Sequence, residues 1–202
     1  MAHKVTTRRT PGSPAVPEMA DAVRAFLRAA GLDPARNPEL AQTPALVAGA
    51  WADEFLDGYR LDPRAILAER MPVAQSGQEL VVLSRLSFTS VCPHHLLPYG
   101  GRAHIAYVPS RQVVGFGQVV RLLDCFAHRL ILQEDLARSI AGVLVRILKA
   151  RGAGVVLEAE QVCLALRGGR RRGSRVTCEA WAGSLRLDGE LRQRFLGAAR
   201  GD

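Results

Sequence analysis

The chain has 202 residues, 48% of them hydrophobic and 23% charged, with a formal net charge of +8. This excludes a disordered or fibrous chain and leaves one domain plus an appendage, large enough to bury a core. No run approaches the ~18 apolar residues of a membrane span. The basic stretch MAHKVTTRRTPGSPAVP lacks the apolar segment of a secretory signal. The expectation is therefore a cytoplasmic protein.

Residues 1–16 have no periodicity and read as a flexible tail that includes His3. Residues 17–75 read as a helical region. PEMADAVRAFLRAA spaces apolar side chains at helical intervals before Gly31. Thr43-Pro44 resembles a cap followed by a first-turn proline, predicting a helix to about Leu56. Asp62-Pro63 repeats the device for a short helix to about Arg70.

Residues 76–202 read as a second domain. Leu80–Phe88 is β-rich, Val91–Gly101 is a turn region, and Arg102–Val108 is the returning strand. Gln118–His128 and Gln133–Lys149 have helical periodicity. A strand from Val155 to Leu166, an arginine-rich turn and a strand from Arg175 to Leu187 follow. Asp188 caps a last helix, about Glu190 to Ala199. The order strand, strand, helix, helix, strand, strand predicts an α+β fold, an antiparallel sheet with two helices on one face.

The chemistry concentrates at two places. Cys92-Pro93-His94-His95 sits in a turn, and a cysteine and histidine three apart can grip one metal ion from a single loop. Cys163, on the expected strand, is a candidate third ligand, because zinc in a catalytic site keeps three protein ligands and an open position. On that strand Gln161, Cys163 and Arg167 would share one face. The alternative is a buried cysteine beside two surface histidines. His94 is a candidate general acid or base beside such a metal. Cys125 falls in an apolar helical pattern and His104 alternates with apolar residues on a strand, so both read as structural. Without a signal sequence the cysteines read as thiols or ligands rather than disulfides.

The positive charge points to an anionic partner. Arg167, Arg170, Arg171, Arg172 and Arg175 fall in one short stretch, which on its own also reads as a solvated turn. Aromatic content of 5% and the lack of any nucleic-acid-binding pattern argue against a nucleic-acid partner.

FTSVCPHHLLPYGGRAHIAYVPSRQVVGFG, RLILQEDLARSIA and VCLALRG, in that order, resemble GTP cyclohydrolase I, as does DPARNPELAQTPALVAGAW. The resemblance runs from about Pro17 to Arg200. It implies a tunnelling fold, a toroidal homodecamer with active sites between subunits, and Zn2+ held by Cys92, His95 and Cys163. It implies opening of the imidazole ring of GTP, release of C8 as formate and closure to dihydroneopterin triphosphate, the entry to folate and other pterins. His94 matches the proton-transfer histidine, Gln133 and Glu134 the pair that reads the guanine edge, and Arg121 and Arg167 the arginines that hold the triphosphate.

The sequence departs from the family at Pro93, where Glu is usual, and at Gln161, where His is usual. Gly117-Gln118 replaces a Ser-Lys pair at the triphosphate, leaving Gln118 as its substrate-side substitute. VTCEAWAG lacks the usual Thr-Ser run. A paralogous zinc hydrolase, acting on another guanine nucleotide or stopping at a ring-opened formamidopyrimidine, is therefore one alternative. A non-catalytic ring subunit or basic binding protein is another.

Overall fold

A computed structural model describes residues 15–73, 79–167 and 170–200. Most of the expected tail, His3 included, lies outside them. The chain divides into two compact units, Met1–Arg60 and Leu61–Asp202. No helix among the described residues is long and apolar enough to cross a membrane.

The first unit is helical. α1 (Val16–Ala29) carries Pro17 in its first turn, where a missing N–H costs nothing. α2 (Thr43–Ala50) begins at Thr43, but Gln42 takes the cap position, so Thr43 is the first helical residue rather than its cap. The helix then widens into a π turn over Trp51–Phe55.

The second unit is built on a sheet. α3 (Pro63–Ile66) is capped by Asp62, whose carboxylate accepts from Arg64 N–H at 2.9 Å, and it ends four residues before the expected Arg70. β1 (Met71–Pro72) pairs with β4 (Gln112–Val113), a small ribbon with no sequence signal. The main sheet holds β2 (Val81–Val91), β3 (Pro98–Val108), β5 (Gly152–Gln161) and β6 (Val176–Gly183), all antiparallel in the order β2-β3-β5-β6. β2 and β3 extend further into the expected turn region than composition suggested.

Alternation assigns the faces. Ala103, Ile105 and Tyr107 of β3 and Val155 and Leu157 of β5 join the main core with α4 (Phe116–Ala127) and α5 (Gln133–Arg146). The expected two helices thus cover one face. On the other face, Ala106, Val108 and Val156 pack under Leu191 and Phe195 of α8 (Gly189–Arg200). Asp188 caps α8 as expected, accepting from Glu190 and Leu191 N–H at 3.0 and 3.1 Å.

Two expected strands are too long. β5 stops at Gln161, and the chain coils into one helical turn, α6 (Val162–Ala165), with Leu166 N–H donating to Val162 O at 3.0 Å. β3 ends its pairing with β5 at Tyr99↔Gln161, and β6 pairs with β5 only as far as Ala159↔Val176. Beyond Gln161 the backbone has no ladder partner and satisfies its groups locally. β6 stops at Gly183, which takes φ +58, and α7 (Ser184–Leu187) follows. A Cβ there would lie 2.2 Å from Arg151 O, so only glycine fits.

Gly101 matters as much for a different reason. It faces Ala159 across the β3–β5 ladder, and a Cβ on it would lie 1.9 Å from Glu158 O. Gly101→Ala should therefore destabilise the fold by about 3 kcal/mol or more. Gly117→Ala, in open space on α4, should be neutral or stabilising by up to about 1 kcal/mol. Urea denaturation of both variants checks the contrast.

His104 is buried at 6% exposure, and its Nδ1 accepts from Arg85 N–H at 3.4 Å. Burial holds its imidazole below the ordinary pKa of 6.5, with Arg85 adding to the shift and Glu158 opposing it. Below pH 6.5 the unfolded chain then binds more protons than the folded one. His104 costs nothing above that value and destabilises the fold progressively as pH falls through it. Denaturation from about pH 7.5 to about pH 5.5 should show a smaller loss of stability in His104→Gln than in the parent.

Candidate metal centre

The turn between β2 and β3 is closed by its own backbone. Cys92 N–H donates to Leu97 O, and Leu96 N–H donates to Cys92 O, each at 3.0 Å. Leu96 closes the loop with φ +54. Pro93 occupies a turn position that suits its fixed φ. The result buries Cys92 at the end of the sheet and leaves His94 and His95 exposed. Nδ1 of each histidine lies 4.0 Å from the Cys92 sulfur.

Cys163 comes from elsewhere in the chain. The pairing Tyr99↔Gln161 sets the end of β5 beside the start of β3, and α6 carries Cys163 onward from there. Cys163 is thus not on a strand, and the shared-face reading of Gln161, Cys163 and Arg167 does not hold. Ala165, on the same supposed face, is buried, whereas Arg167 is exposed. The helical turn nonetheless delivers the thiol: one ligand atom from each of Cys92, His95 and Cys163 lies within 4.8 Å of the others.

Two thiols and an imidazole suit a borderline-soft divalent metal. In a tetrahedral site, ligand atoms stand roughly 3.5–3.8 Å apart, so these three need only a small closure to fit one. Three protein ligands also leave a fourth position open. Among the described residues this is the one cluster that brings three such atoms together. Cys125 is fully buried in α4. Cys178 lies on β6, where burial pushes its thiol pKa up and the charge of Glu134 adds to the effect.

A cavity of about 250 Å³ adjoins the cluster, lined by Cys92, His94, Gln133, Glu134, Gln161 and Cys163. Its apolar wall includes Tyr99 and Ile131, which the sequence did not flag. Tyr99 is 2% exposed and donates its O–H to Ile131 O at 2.9 Å. Burial pushes its pKa up to about 12, so it remains a neutral phenol.

The polar wall has its own order. Gln133, 3% exposed at the start of α5, donates through Nε2 to Leu157 O at 3.0 Å and Val176 O at 2.9 Å. Its Oε1 accepts from Gln161 Nε2 at 2.7 Å. Both Gln133 N–H groups are thus committed to holding β5, β6 and α5 together, and one acceptor lone pair remains. Glu134, the next residue, is exposed at the helix N-terminus, where backbone N–H groups favour a carboxylate.

The remaining sequence candidates do not line this cavity. Arg121 lies exposed on α4 and Arg167 lies exposed after α6. Gln118 is a strut: Nε2 donates to Ile66 O at 2.7 Å and Glu69 O at 3.0 Å, and Oε1 accepts from Gly115 N–H at 2.8 Å. It offers a substrate no free donor.

The family model for GTP cyclohydrolase I matches residues 19–200. The GTP cyclohydrolase 1 of Brucella anthropi is 38% identical over 94% of this chain and 88% of its own length. That of Brucella suis is 36% identical over 96% and 90%. Among solved structures, the apo archaeosine synthase QueF-Like covers 54% of this chain and 97% of its own, with 21% identity and a TM-score of 0.43. A match to the family model along nearly the whole chain, together with these relatives, places the chain in the GTP cyclohydrolase I family.

Proposed function

We propose that this chain is a zinc-dependent GTP cyclohydrolase I that hydrolyses GTP to formate and 7,8-dihydroneopterin triphosphate. The observation that carries the reading is the convergence of Cys92, His95 and Cys163 beside a cavity lined by His94 and Glu134. A zinc ion held by these three would contribute Lewis acidity at the reacting carbon.

The chain's own residues divide the rest. The Glu134 carboxylate accepts from the N–H groups of the guanine edge, charge-assisted bonds that a neutral amide would not match. Gln133 positions Glu134 by locking the start of α5 to β5 and β6. His94 stands beside the metal ligands and moves protons to and from the purine ring, since an imidazole nitrogen can both accept and donate a proton. Gln161 takes no part in proton transfer, because an amide carries no exchangeable charge near pH 7.

A cavity of about 250 Å³ is small for a nucleoside triphosphate, whose sites usually span ~300–1,000 Å³. It suits the base. The triphosphate then extends beyond this protomer's cavity, and Arg121 and Arg167 contribute to sites completed between subunits of a ring, a toroidal decamer by family resemblance. The domain plan of tail, helical region and catalytic domain assigns the chemistry to the sheet-bearing unit.

The Gln161–Gln133 bond favours one second reading. With an amide where the family usually has a histidine, the reaction can halt at the ring-opened formamidopyrimidine. A product assay with GTP and zinc separates the two. Formate together with a pterin that fluoresces after oxidation supports the full reaction, whereas a formamidopyrimidine by mass spectrometry supports the arrested one. Zinc-loaded protein that binds GTP but releases neither product would sink both.

Metal and proton roles separate by mutation. Cys163→Ala should lose stoichiometric zinc by elemental analysis, together with all activity. His94→Ala should keep the zinc and slow formate release by about 10²–10⁴-fold.

A further inference from the structure

The opposite face of the sheet holds a larger cavity, about 650 Å³. Part of that face is sealed by α8 over Val108 and Val156. Beyond it the face is largely polar. Alternation along β3 and β5 sends Arg102, His104 and Glu158 to it, the reverse of the face that carries Ala103, Ile105 and Leu157.

Four guanidinium-bearing residues line this cavity from four different parts of the chain. Arg102 comes from β3, Arg85 from a bulge in β2, Arg175 from the turn before β6 and Arg200 from the end of α8. Arg85 takes φ +60 at the point where the β2–β3 register shifts. A non-glycine residue in that region is strained, and bulges re-aim side chains at functional positions. Glu158 and Glu179 line the same walls, yet none of the four arginines forms an ion pair among the described residues. Among the described residues their guanidinium groups make one hydrogen bond, from Arg102 Nη1 to Arg85 O at 3.4 Å. Four positive groups against two carboxylates leave a surplus positive charge in the cavity.

His104 adds a donor. It is more than nine-tenths buried on the cavity wall, and its Nδ1 accepts from Arg85 N–H. In the neutral ring the proton therefore sits on Nε2, which has no hydrogen-bond partner among the described residues. Val156, Leu196 and Ala199 supply an apolar wall.

We propose that this cavity is a second binding site, for the phosphate group of a small phosphorylated molecule. Arg85, Arg102, Arg175 and Arg200 surround the phosphate oxygens and His104 donates from the wall. Guanidinium groups bind phosphate oxygens through paired donors, and convergent arginines become stable once an anion sits among them. Glu158 and Glu179 accept N–H groups from the rest of the ligand, and the apolar wall takes its carbon skeleton. The proposal does not rest on the cyclohydrolase reading, because this cavity shares no lining residue with the one beside the Cys92 cluster.

Calorimetric titration of the full chain with inorganic pyrophosphate tests it. Arg102→Ala and Arg175→Ala should each weaken one binding component by about tenfold or more. The double variant Arg121→Ala/Arg167→Ala should leave that component intact. Arg102 and Arg175 are both exposed, so each variant should fold and either alone keeps the test usable, and Arg102→Lys should restore part of the affinity. Unchanged pyrophosphate affinity in Arg175→Ala and in folded Arg102→Ala overturns the proposal. So does loss of all pyrophosphate binding in the Arg121/Arg167 variant.

Discussion

The register between β3 and β5 is the constraint on which the rest depends. Ten consecutive pairs, from Tyr99↔Gln161 to Val108↔Gly152, run without a bulge. One end of this ladder sets the Cys92–Leu97 turn beside α6 and so brings Cys92 and His95 to Cys163. A slip of one residue would exchange the two faces of every side chain on β5. It would also carry Gln161 away from Gln133 and open the cavity's polar wall. Gly101 guards the register, since any larger residue would drive a side chain into the backbone of Glu158 and Ala159.

The same alternation gives the sheet two unlike faces. Small and branched side chains fill the face under α4 and α5. The other face is apolar only where α8 lies on it. Beyond α8 it carries arginines, two glutamates and a buried histidine. Arg85, Arg102, Arg175 and Arg200 are all exposed there, and their mutual repulsion around a bulge held by His104 is what a bound anion would relieve.

Within the metal centre, the departures from the family pattern have a physical shape. Pro93 suits the turn it occupies and leaves the ligands in place. Gln161 binds Gln133, which in turn bonds two backbone carbonyls, so the amide that replaces a histidine serves as a strut. Gln118, where a lysine is usual, closes three hydrogen bonds to the backbone. At both positions a group able to carry charge has given way to an amide that stiffens its surroundings.

Much of this was legible in the sequence. Helical spacing located α1, α4 and α5, and the cap at Asp188 located α8, because these signals are local and repeat every turn. The Cys92-x-x-His95 pair was legible because both ligands share one loop. The ends of β5 and β6 were not, because a strand continues only where a partner continues, and the partner is distant in sequence. Cys163 was therefore expected on the wrong element: the expected strand face dissolved into a helical turn, which still sets the thiol within 4.8 Å of ligand atoms of Cys92 and His95. The arginine cavity was invisible for a similar reason. Arg85, Arg102, Arg175 and Arg200 belong to no motif and meet only when the sheet folds. The sequence by itself determined the principal helices and strands and the family resemblance. The tertiary structure alone decided which side chains meet and which amides are already engaged, because pairing register and face are properties of contacts between distant segments.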